Sequence, residues 1–354
     1  MADARAFFSI CIPQHNRTSF LIEALRTLER QTFRDFEVCI SDDASTDGRE
    51  TDLLRYLESS GLNHRYVRQE TNLRYDGNLR AAIGFARGRY SFLLGNDDGL
   101  TRPDTLARIA EALRAHGEPA VALTNYREAE SGREYRRVTT TSILGRGAEA
   151  AVAHFRSFSF VSGVILNTDI AHEHTTAQWD GSEMYQVFLA ARALAQGGSL
   201  LAIDEIAIDK DLRVPGESVD SYAARPKVDP CPVVPRKFNL SSFPAVVSAA
   251  ISPYVSPTQL THLNARILLQ LYAYTYPYWL VEFRRVQSWK YALGIALGQR
   301  PSEMTRGLLM SPLGNAVTGL TFLFSTLGGL LAPVAVTQKL MAPLFYKLAK
   351  RAPR

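Results

Sequence analysis

Hydrophobic and polar positions follow two rhythms along the first hundred residues. Short apolar runs from Phe7 to Pro13, Phe36 to Ser41, Arg65 to Arg68 and Tyr90 to Leu94 predict strands, each closed by a polar turn. Between them, apolar residues recur at helical spacing: Phe20, Leu21, Ala24, Leu25 and Leu28, then Leu53, Leu54 and Leu57, then the segment Asn78 to Ala86. Ser19 is the expected N-cap of the first helix, and Gly88 is expected to stop the third. The order βαβαβαβ predicts an α/β fold with a mostly parallel central sheet flanked by helices, because parallel neighbours need a crossover element. Ligands of such sheets sit at the carboxyl ends of the strands.

The pattern then loosens. Val121 to Asn125, Phe160 to Leu166 and Leu200 to Ile208 read as strands, and Ser182 to Leu194 as a helix. Four prolines, at 226, 230, 232 and 235, mark a linker, which predicts a nucleotide-binding domain over residues 1–225 and a helical region over 226–354. The second region is aromatic from Leu260 to Phe283, and it carries no charged residue between Arg306 and Lys339.

Composition narrows the class. The 354 residues are 46% hydrophobic and 21% charged, which excludes a disordered or fibrous chain. A net charge of +5 suits nucleic acid, an anionic membrane or a phosphate-bearing substrate equally well. Cys11, Cys39 and Cys231 are read as free thiols of a reducing compartment, two of them inside strands. With no secretion signal at the N-terminus, the expected location is the cytoplasm.

Two acidic clusters fall at the predicted ligand edge. Asp97 and Asp98 follow the fourth strand, where carboxylate oxygens suit a hard divalent cation, Mn²⁺ or Mg²⁺, that neutralises a departing diphosphate. Asp42 and Asp43 follow the second strand and are placed to accept from a base and a ribose. The same residue types also suit plain turns or a helix cap. No Gly-x-Gly-x-x-Gly and no Gly-Lys-Ser or Gly-Lys-Thr phosphate loop is present.

Three segments, in order and spacing, carry a resemblance: Ser9-Ile10-Cys11-Ile12-Pro13 with Asn16-Arg17, then Ile40-Ser41-Asp42-Asp43-Ala44-Ser45-Thr46-Asp47, then Leu93-Leu94-Gly95-Asn96-Asp97-Asp98. They resemble the nucleotide-binding half of family 2 glycosyltransferases, which have the GT-A fold. The resemblance implies transfer of a sugar from a nucleotide diphosphate to an acceptor hydroxyl with inversion. It implies a donor site of Pro13, Asn16, Arg17, Asp42, Asp43, Asn78, Asn96, Asp97 and Arg213, with Asp42 at the base, Asn96 near the ribose and Asp97, with Asp98, on the metal. Gly95 stands where the family often has the first Asp of its Asp-x-Asp motif. The general base is expected at Glu183, with Asp180 in reserve, although a first-turn Glu also simply complements a helix dipole. Arg213 and Ser218 lie in a loop similar to the one that covers the donor diphosphate in relatives; a solvated loop arginine is the competing reading. His172 and His174 are read as loop surface.

Two other functions compete with hexosyl or deoxyhexosyl transfer: a sugar-phosphate nucleotidyltransferase, and a catalytically silent scaffold that binds nucleotide sugar or glycan. The first should carry a Gly-x-Gly-Thr-Arg loop where Pro13-Gln14-His15-Asn16-Arg17 stands. Residues 307–338 are long enough to cross a bilayer, but Asn315, Thr318, Thr321, Ser325 and Thr326 interrupt their apolar character, and Gly328-Gly329 and Pro333 are expected to weaken a continuous helix. Basic residues flank both ends, which favours a re-entrant hairpin or helices lying in the interface over a single span, with Trp279, Trp289 and the tyrosines at headgroup depth. A buried soluble helical pair is the alternative. The expected partners are thus a nucleotide-diphosphate sugar, a saccharide acceptor on a polyprenyl diphosphate and the cytoplasmic face of the membrane, and no nucleic acid.

Overall fold

A computed structural model describes residues 5–218 and 242–334. The predicted linker, Cys231 and the last twenty residues lie outside the described residues. The described residues fall into two compact units, one of residues 5–150 and 154–218, the other of 151–153 and 242–334.

The first unit runs β1 (Phe8–Gln14), α1 (Thr18–Glu29), β2 (Phe36–Asp42), α2 (Glu50–Ser60), β3 (His64–Arg68), α3 (Arg74–Gly84), β4 (Tyr90–Leu93), β5 (Gly99–Leu100), α4 (Thr105–Ala115), β6 (Val121–Glu128), β7 (Glu134–Tyr135), β8 (Ser142–Arg146), α5 (Gly147–His154), β9 (Val164–Asn167), α6 (Thr168–Glu173), α7 (Tyr185–Ala195) and β10 (Ser199–Lys210). The sheet order is β3-β2-β1-β4-β9-β6-β10-β5, with β7 beside β6 and β8 beside β10. Strands β1 to β4, β6 and β10 point the same way, and β9 opposes its neighbours β4 and β6. The expected mostly parallel sheet is present, with one antiparallel strand at its centre.

Strands β1 and β2 are buried nearly throughout, as a sheet covered on both faces requires. Pro13 is compatible with a central strand because pairing of β1 with β4 stops at Cys11, so no bond to β4 is lost there. Glu37, buried within β2, is compensated: its Oε1 accepts from Ser9 Oγ at 2.6 Å and from the amides of Arg87 and Gly88 at 2.7 and 3.1 Å. At Gly88 the chain passes close against β1; a Cβ there would lie 2.6 Å from the Phe8 carbonyl carbon.

Several elements differ from expectation at their ends. The cap of α1 is Arg17 in a left-handed conformation, not Ser19, and the free amide of Thr18 donates to Asp47 Oδ2 at 3.0 Å from the loop after β2. Helix α3 begins a turn earlier than predicted and ends at Gly84, before Gly88. Helix α7 begins at Tyr185, so Glu183 precedes it in a left-handed turn and is not in its first turn. His172 lies in the short helix α6 and meets the Ile83 carbonyl at 2.9 Å, while His174 meets Gln196 Oε1 at 2.6 Å.

The second unit is helical: α8 (Ser242–Ile251), α9 (Pro257–Gln270), a π turn (Leu271–Thr275), α10 (Tyr276–Val286), α11 (Trp289–Gly298), α12 (Pro301–Met304) and α13 (Pro312–Leu331). Helix α13 runs unbroken through Gly328 and Gly329, contrary to the sequence expectation. Gly329 serves close packing instead: a Cβ there would lie 2.8 Å from the Leu280 side chain of α10.

Cys11 and Cys39 are free and buried in adjacent strands. Burial pushes the Cys39 thiol up to about 12, helped by the nearby Glu37 carboxylate, and burial raises Cys11 well above its ordinary value. Native protein treated with iodoacetamide at mildly alkaline pH should therefore leave both residues unmodified in peptide mass mapping, whereas denatured protein should label both. Labelling of either one under native conditions would mean that the β1–β2 layer is open.

Candidate active site

The carboxyl ends of β1, β2, β4 and β10 meet at one edge of the sheet, and Gln14, the last residue of β1, joins three of the loops there. Its backbone carbonyl accepts from the amide of Asp43 at 2.8 Å and from Asn78 Nδ2 at 2.9 Å. Its side-chain Oε1 accepts from Asn96 Nδ2 at 2.7 Å, and its Nε2 donates to the Asn16 carbonyl at 2.6 Å. The β1 loop that follows is held in an unusual shape, with both Asn16 and Arg17 at positive φ (51° and 59°). Consecutive left-handed residues without glycine are costly and persist only where surroundings hold them. Here Asn16 donates its amide to Ser45 Oγ at 2.8 Å and accepts from the Thr46 amide at 2.7 Å. The Arg17 guanidinium lies 4.1 Å over the Phe20 ring and 3.3 Å from Asp97.

The predicted acidic clusters therefore face one rim, and their four carboxylates do different work. Asp42 is buried; its Oδ1 accepts from the Ser45 amide and its Oδ2 from Tyr66 Oη, each at 2.8 Å. An ionised carboxylate has about four acceptor positions, so two are spent. Asp43 caps the start of α3 by accepting from the Leu73 amide, which makes it an architectural residue. Burial raises its pKa, against the bonds from Leu73 and Arg74.

Asp97 and Asp98 lie in the turn between β4 and β5. Asp98 is turned inward: Oδ1 accepts from the Asp211 amide at 3.0 Å and Oδ2 from Ser162 Oγ at 2.5 Å. The opposed direction of β9 explains why Ser162, just before it, reaches this edge. Burial foremost, and then the Asp97 charge, pushes Asp98 up to about 7. Asp97 also lies above the usual carboxylate range, raised by burial, pulled down by Arg17 and raised again by Asp211. Its side chain is 19% exposed, and its carbonyl accepts from the Leu212 amide at 2.7 Å, which ties the end of β10 to this turn.

This arrangement bears on the expected cation. Asp98, with both oxygens bonded inside the protein, does not present a ligand face, so the expected Asp97–Asp98 pair reduces to Asp97. Among the described residues no group of three or more His, Cys, Asp or Glu is gathered to hold a metal. A single carboxylate still fits Mg²⁺ or Mn²⁺, which keep most of their shell for water and diphosphate oxygens. Gly95 is also accounted for, since a Cβ there would meet Asp98 Oδ2 at 3.0 Å, Asp97 Oδ1 at 3.2 Å and Ser162 Oγ at 3.3 Å. A first Asp of an Asp-x-Asp motif would have to displace the Ser162 bridge.

The remaining predicted residues surround this core. Asn78 is buried, and its Oδ1 has no partner among the described residues. Arg213 follows the residue bonded to Asp97 and is itself paired with Glu130. Asp180 pairs with Arg80, and Glu183 is exposed, with φ 60°. The turn carrying both is fixed by a residue that the sequence reading passed over. Asp76, buried in the first turn of α3, accepts from the amides of Gly181, Glu183 and Tyr185 at 2.8, 2.7 and 3.0 Å. Gln14, Tyr66, Ser162 and Lys210-Asp211 were missed as well. Their signal was position, all but Tyr66, in the middle of β3, lying at or beside the end of a strand on the same edge.

The glycosyl transferase family 2 model matches residues 9–174, a stretch that contains all of this rim except the end of β10. Residues 9–174 of the N-terminal unit thus resemble the family 2 glycosyltransferases, over a little under half of the chain. Over 101 residues it is 40% identical to the abequosyltransferase RfbV of Salmonella typhimurium, a match covering 28% of this chain and 30% of that protein. Over 132 residues it is 32% identical to a PGL/p-HBAD biosynthesis glycosyltransferase of Mycobacterium bovis, covering 35% of this chain and 51% of the relative. The chain thus spans about half or less of the length of these relatives. The crystal structure of S. aureus TarS residues 1–349 in complex with UDP superposes with a TM-score of 0.60 at 15% identity, over 91% of this chain and 90% of that one, which establishes the GT-A fold.

Two substitutions test how the first unit holds its rim. Gln14→Leu orphans the Asn96 and Asn16 groups and should destabilise the first unit by about 2–4 kcal/mol in urea denaturation. Asp76→Ala releases three amides and should cost a similar ~2–4 kcal/mol while making the 181–183 turn sensitive to limited proteolysis. Unchanged denaturation midpoints would contradict these assignments.

Proposed function

We propose that this chain is an inverting glycosyltransferase that moves a sugar from a nucleotide diphosphate to a hydroxyl of a lipid-linked saccharide, in the synthesis of a bacterial surface polysaccharide or glycolipid. The observation that carries this reading is the shared rim: Asp97, only partly buried, stands beside Arg17 on one side, and Gln14 bonds its neighbour Asn96 to the loop that follows Asp42 and to Asn78 of α3. The family 2 resemblance and the relatives, an abequosyltransferase and a PGL/p-HBAD biosynthesis glycosyltransferase, support the same chemistry.

In this reading Asp42, with Tyr66, reads the base, the unspent acceptor Asn78 Oδ1 on α3 serves the donor, and Asn96 lies toward the ribose. Arg17 and Arg213 supply positive charge to the diphosphate, Arg213 after leaving Glu130. Asp97 would hold a divalent cation, Mn²⁺ or Mg²⁺, whose charge offsets that of the leaving diphosphate. Glu183, exposed on a turn held rigidly by Asp76, takes the proton of the acceptor hydroxyl as that oxygen attacks the anomeric carbon and the bond to the diphosphate breaks. Asp180 is the reserve for this task, although its pairing with Arg80 favours Glu183. The enzyme works at the cytoplasmic face of the membrane, where a polyprenyl-diphosphate acceptor is presented.

Hydrolysis and transfer across a panel of nucleotide sugars, with Mn²⁺ or with a chelator, tests the reading. Asp97→Asn should lower turnover by about 10²-fold or more at an unchanged melting temperature. Glu183→Gln should lower transfer by about 10²-fold while leaving donor binding intact. Tight donor binding with no turnover in any condition would instead mean a silent scaffold. Wild-type rates in Asp97→Asn would remove that residue from the site.

A further inference from the structure

Helix α13 has the length and composition of a membrane span, with 20 residues and a mean hydropathy of 1.3 over its most apolar window. Its packing tells against crossing. One face is built into the second unit: Gly314, Thr318, Gly329 and Leu330 are buried, Phe322 packs on Tyr272 and Tyr276, and Thr326 Oγ1 lies 2.7 Å from Tyr276 Oη. Its last carbonyls are also taken, those of Gly329 and Ala332 by Arg284 at 2.8 Å each and that of Leu330 by Trp289 Nε1 at 3.1 Å. Helix α10, packed along α13, carries Glu282, Arg284 and Arg285. A spanning α13 would have to shed these contacts or draw α10 into the bilayer with it.

Among the described residues nothing covers the opposite face. Leu313, Val317, Leu320, Phe324, Leu327 and Leu331 follow one another at steps of three and four residues, with Leu313, Phe324 and Leu331 exposed by 74%, 70% and 68%. An unbroken row of this kind exceeds the scattered apolar exposures usual on a soluble surface. At the start of the helix it opens into a groove of about 550 Å³ whose walls include Leu269, Leu309, Leu313, Val317 and Arg266.

Charge decides what covers this face. Residues 242–334 hold six basic and two acidic side chains, and residues 335–354 add five basic and none acidic, while residues 1–241 hold 29 basic and 33 acidic. A second copy of the same unit would bring like charge to like, whereas an anionic bilayer complements it. We propose that α13 lies in the plane of an anionic membrane with its Leu313–Phe324–Leu331 face immersed between the headgroups, and that it does not cross the bilayer. This inference does not depend on the transfer chemistry, although it would place a lipid-linked acceptor beside the chain.

The experiment uses the full chain with sedimentable vesicles of phosphatidylcholine alone or with a quarter phosphatidylglycerol. Wild-type protein should sediment with the anionic vesicles, bind the neutral ones at least about tenfold more weakly, and be released by alkaline carbonate. Leu313→Glu and Phe324→Glu, both at strongly exposed positions, should each weaken binding by about tenfold or more, with circular dichroism, melting temperature and donor hydrolysis unchanged. Failure of wild-type protein to bind anionic vesicles, or equal binding by both variants, overturns the proposal. Retention after carbonate extraction would mean that the helix spans. A concentration-dependent dimer dispersed by Phe324→Glu, with no vesicle binding, would mean that a second copy covers the face. Loss of donor hydrolysis with vesicle binding intact would count against the transferase reading alone.

Discussion

The hydrogen bonds of Gln14 are the constraint on which the rest of the rim depends. A parallel sheet delivers the ends of its strands to one edge, but it does not fix the loops beyond them, and a site built on loops is only as precise as what joins them. Gln14 is fully buried and spends its carbonyl, its Oε1 and its Nε2 on the loops after β1, β2 and β4 and on α3. It thereby allows the loop after β1 to hold two left-handed residues in succession, and the second of these, Arg17, is brought to Asp97. The strain at Asn16 and Arg17 and the proximity of opposite charges at the rim are two sides of one arrangement.

The four rim carboxylates show how residue type and role separate. Asp43 and Asp98 look in sequence like ligand residues, yet one caps α3 and the other is bonded on both oxygens to Ser162 and Asp211. Asp42 and Asp97 retain capacity. The division has a physical basis, since crowding four charges at one edge is tolerable only if some are neutralised or fully hydrogen-bonded. Asp98, raised to about 7, takes the first route in part and its hydrogen bonds supply the second.

Much of this was legible in the sequence where periodicity was strong. The alternation of β1 to β4 with α1 to α3 follows from apolar runs and helical spacings, and the two acidic clusters fell at the edge where that alternation placed them. What escaped had weak local signals. Strands β5 and β7 are two residues long and owe their existence to neighbours, and the opposed direction of β9 is set by what it packs between. Helix α4 was readable, since Leu106, Ile109, Ala110 and Leu113 recur at helical spacing and are buried, but the reading passed from Asp98 to Val121 without it. Asp76 and Gln14 were invisible for another reason. Their partners are backbone amides and carbonyls, or amides distant in sequence, and no residue pattern announces such bonds.

The basic character of the chain, read as a whole, points in no single direction; divided, it does. Residues 1–241 are slightly acidic, so the proposed diphosphate would have to be held locally, by Arg17 and Arg213 set among carboxylates. Such an arrangement binds an anion by placement and not by bulk field, and it leaves room for a divalent cation to shift the local balance further. The entire positive excess lies beyond residue 241, in the stretch that contains α13. A helix with one face packed and the other apolar gains little from water on either side. Flanked by an excess of positive charge, it gains from a surface that is apolar within and anionic at its boundary. Segregated charge thus fits the two proposed partners, a small phosphorylated molecule for one part and a lipid surface for the other.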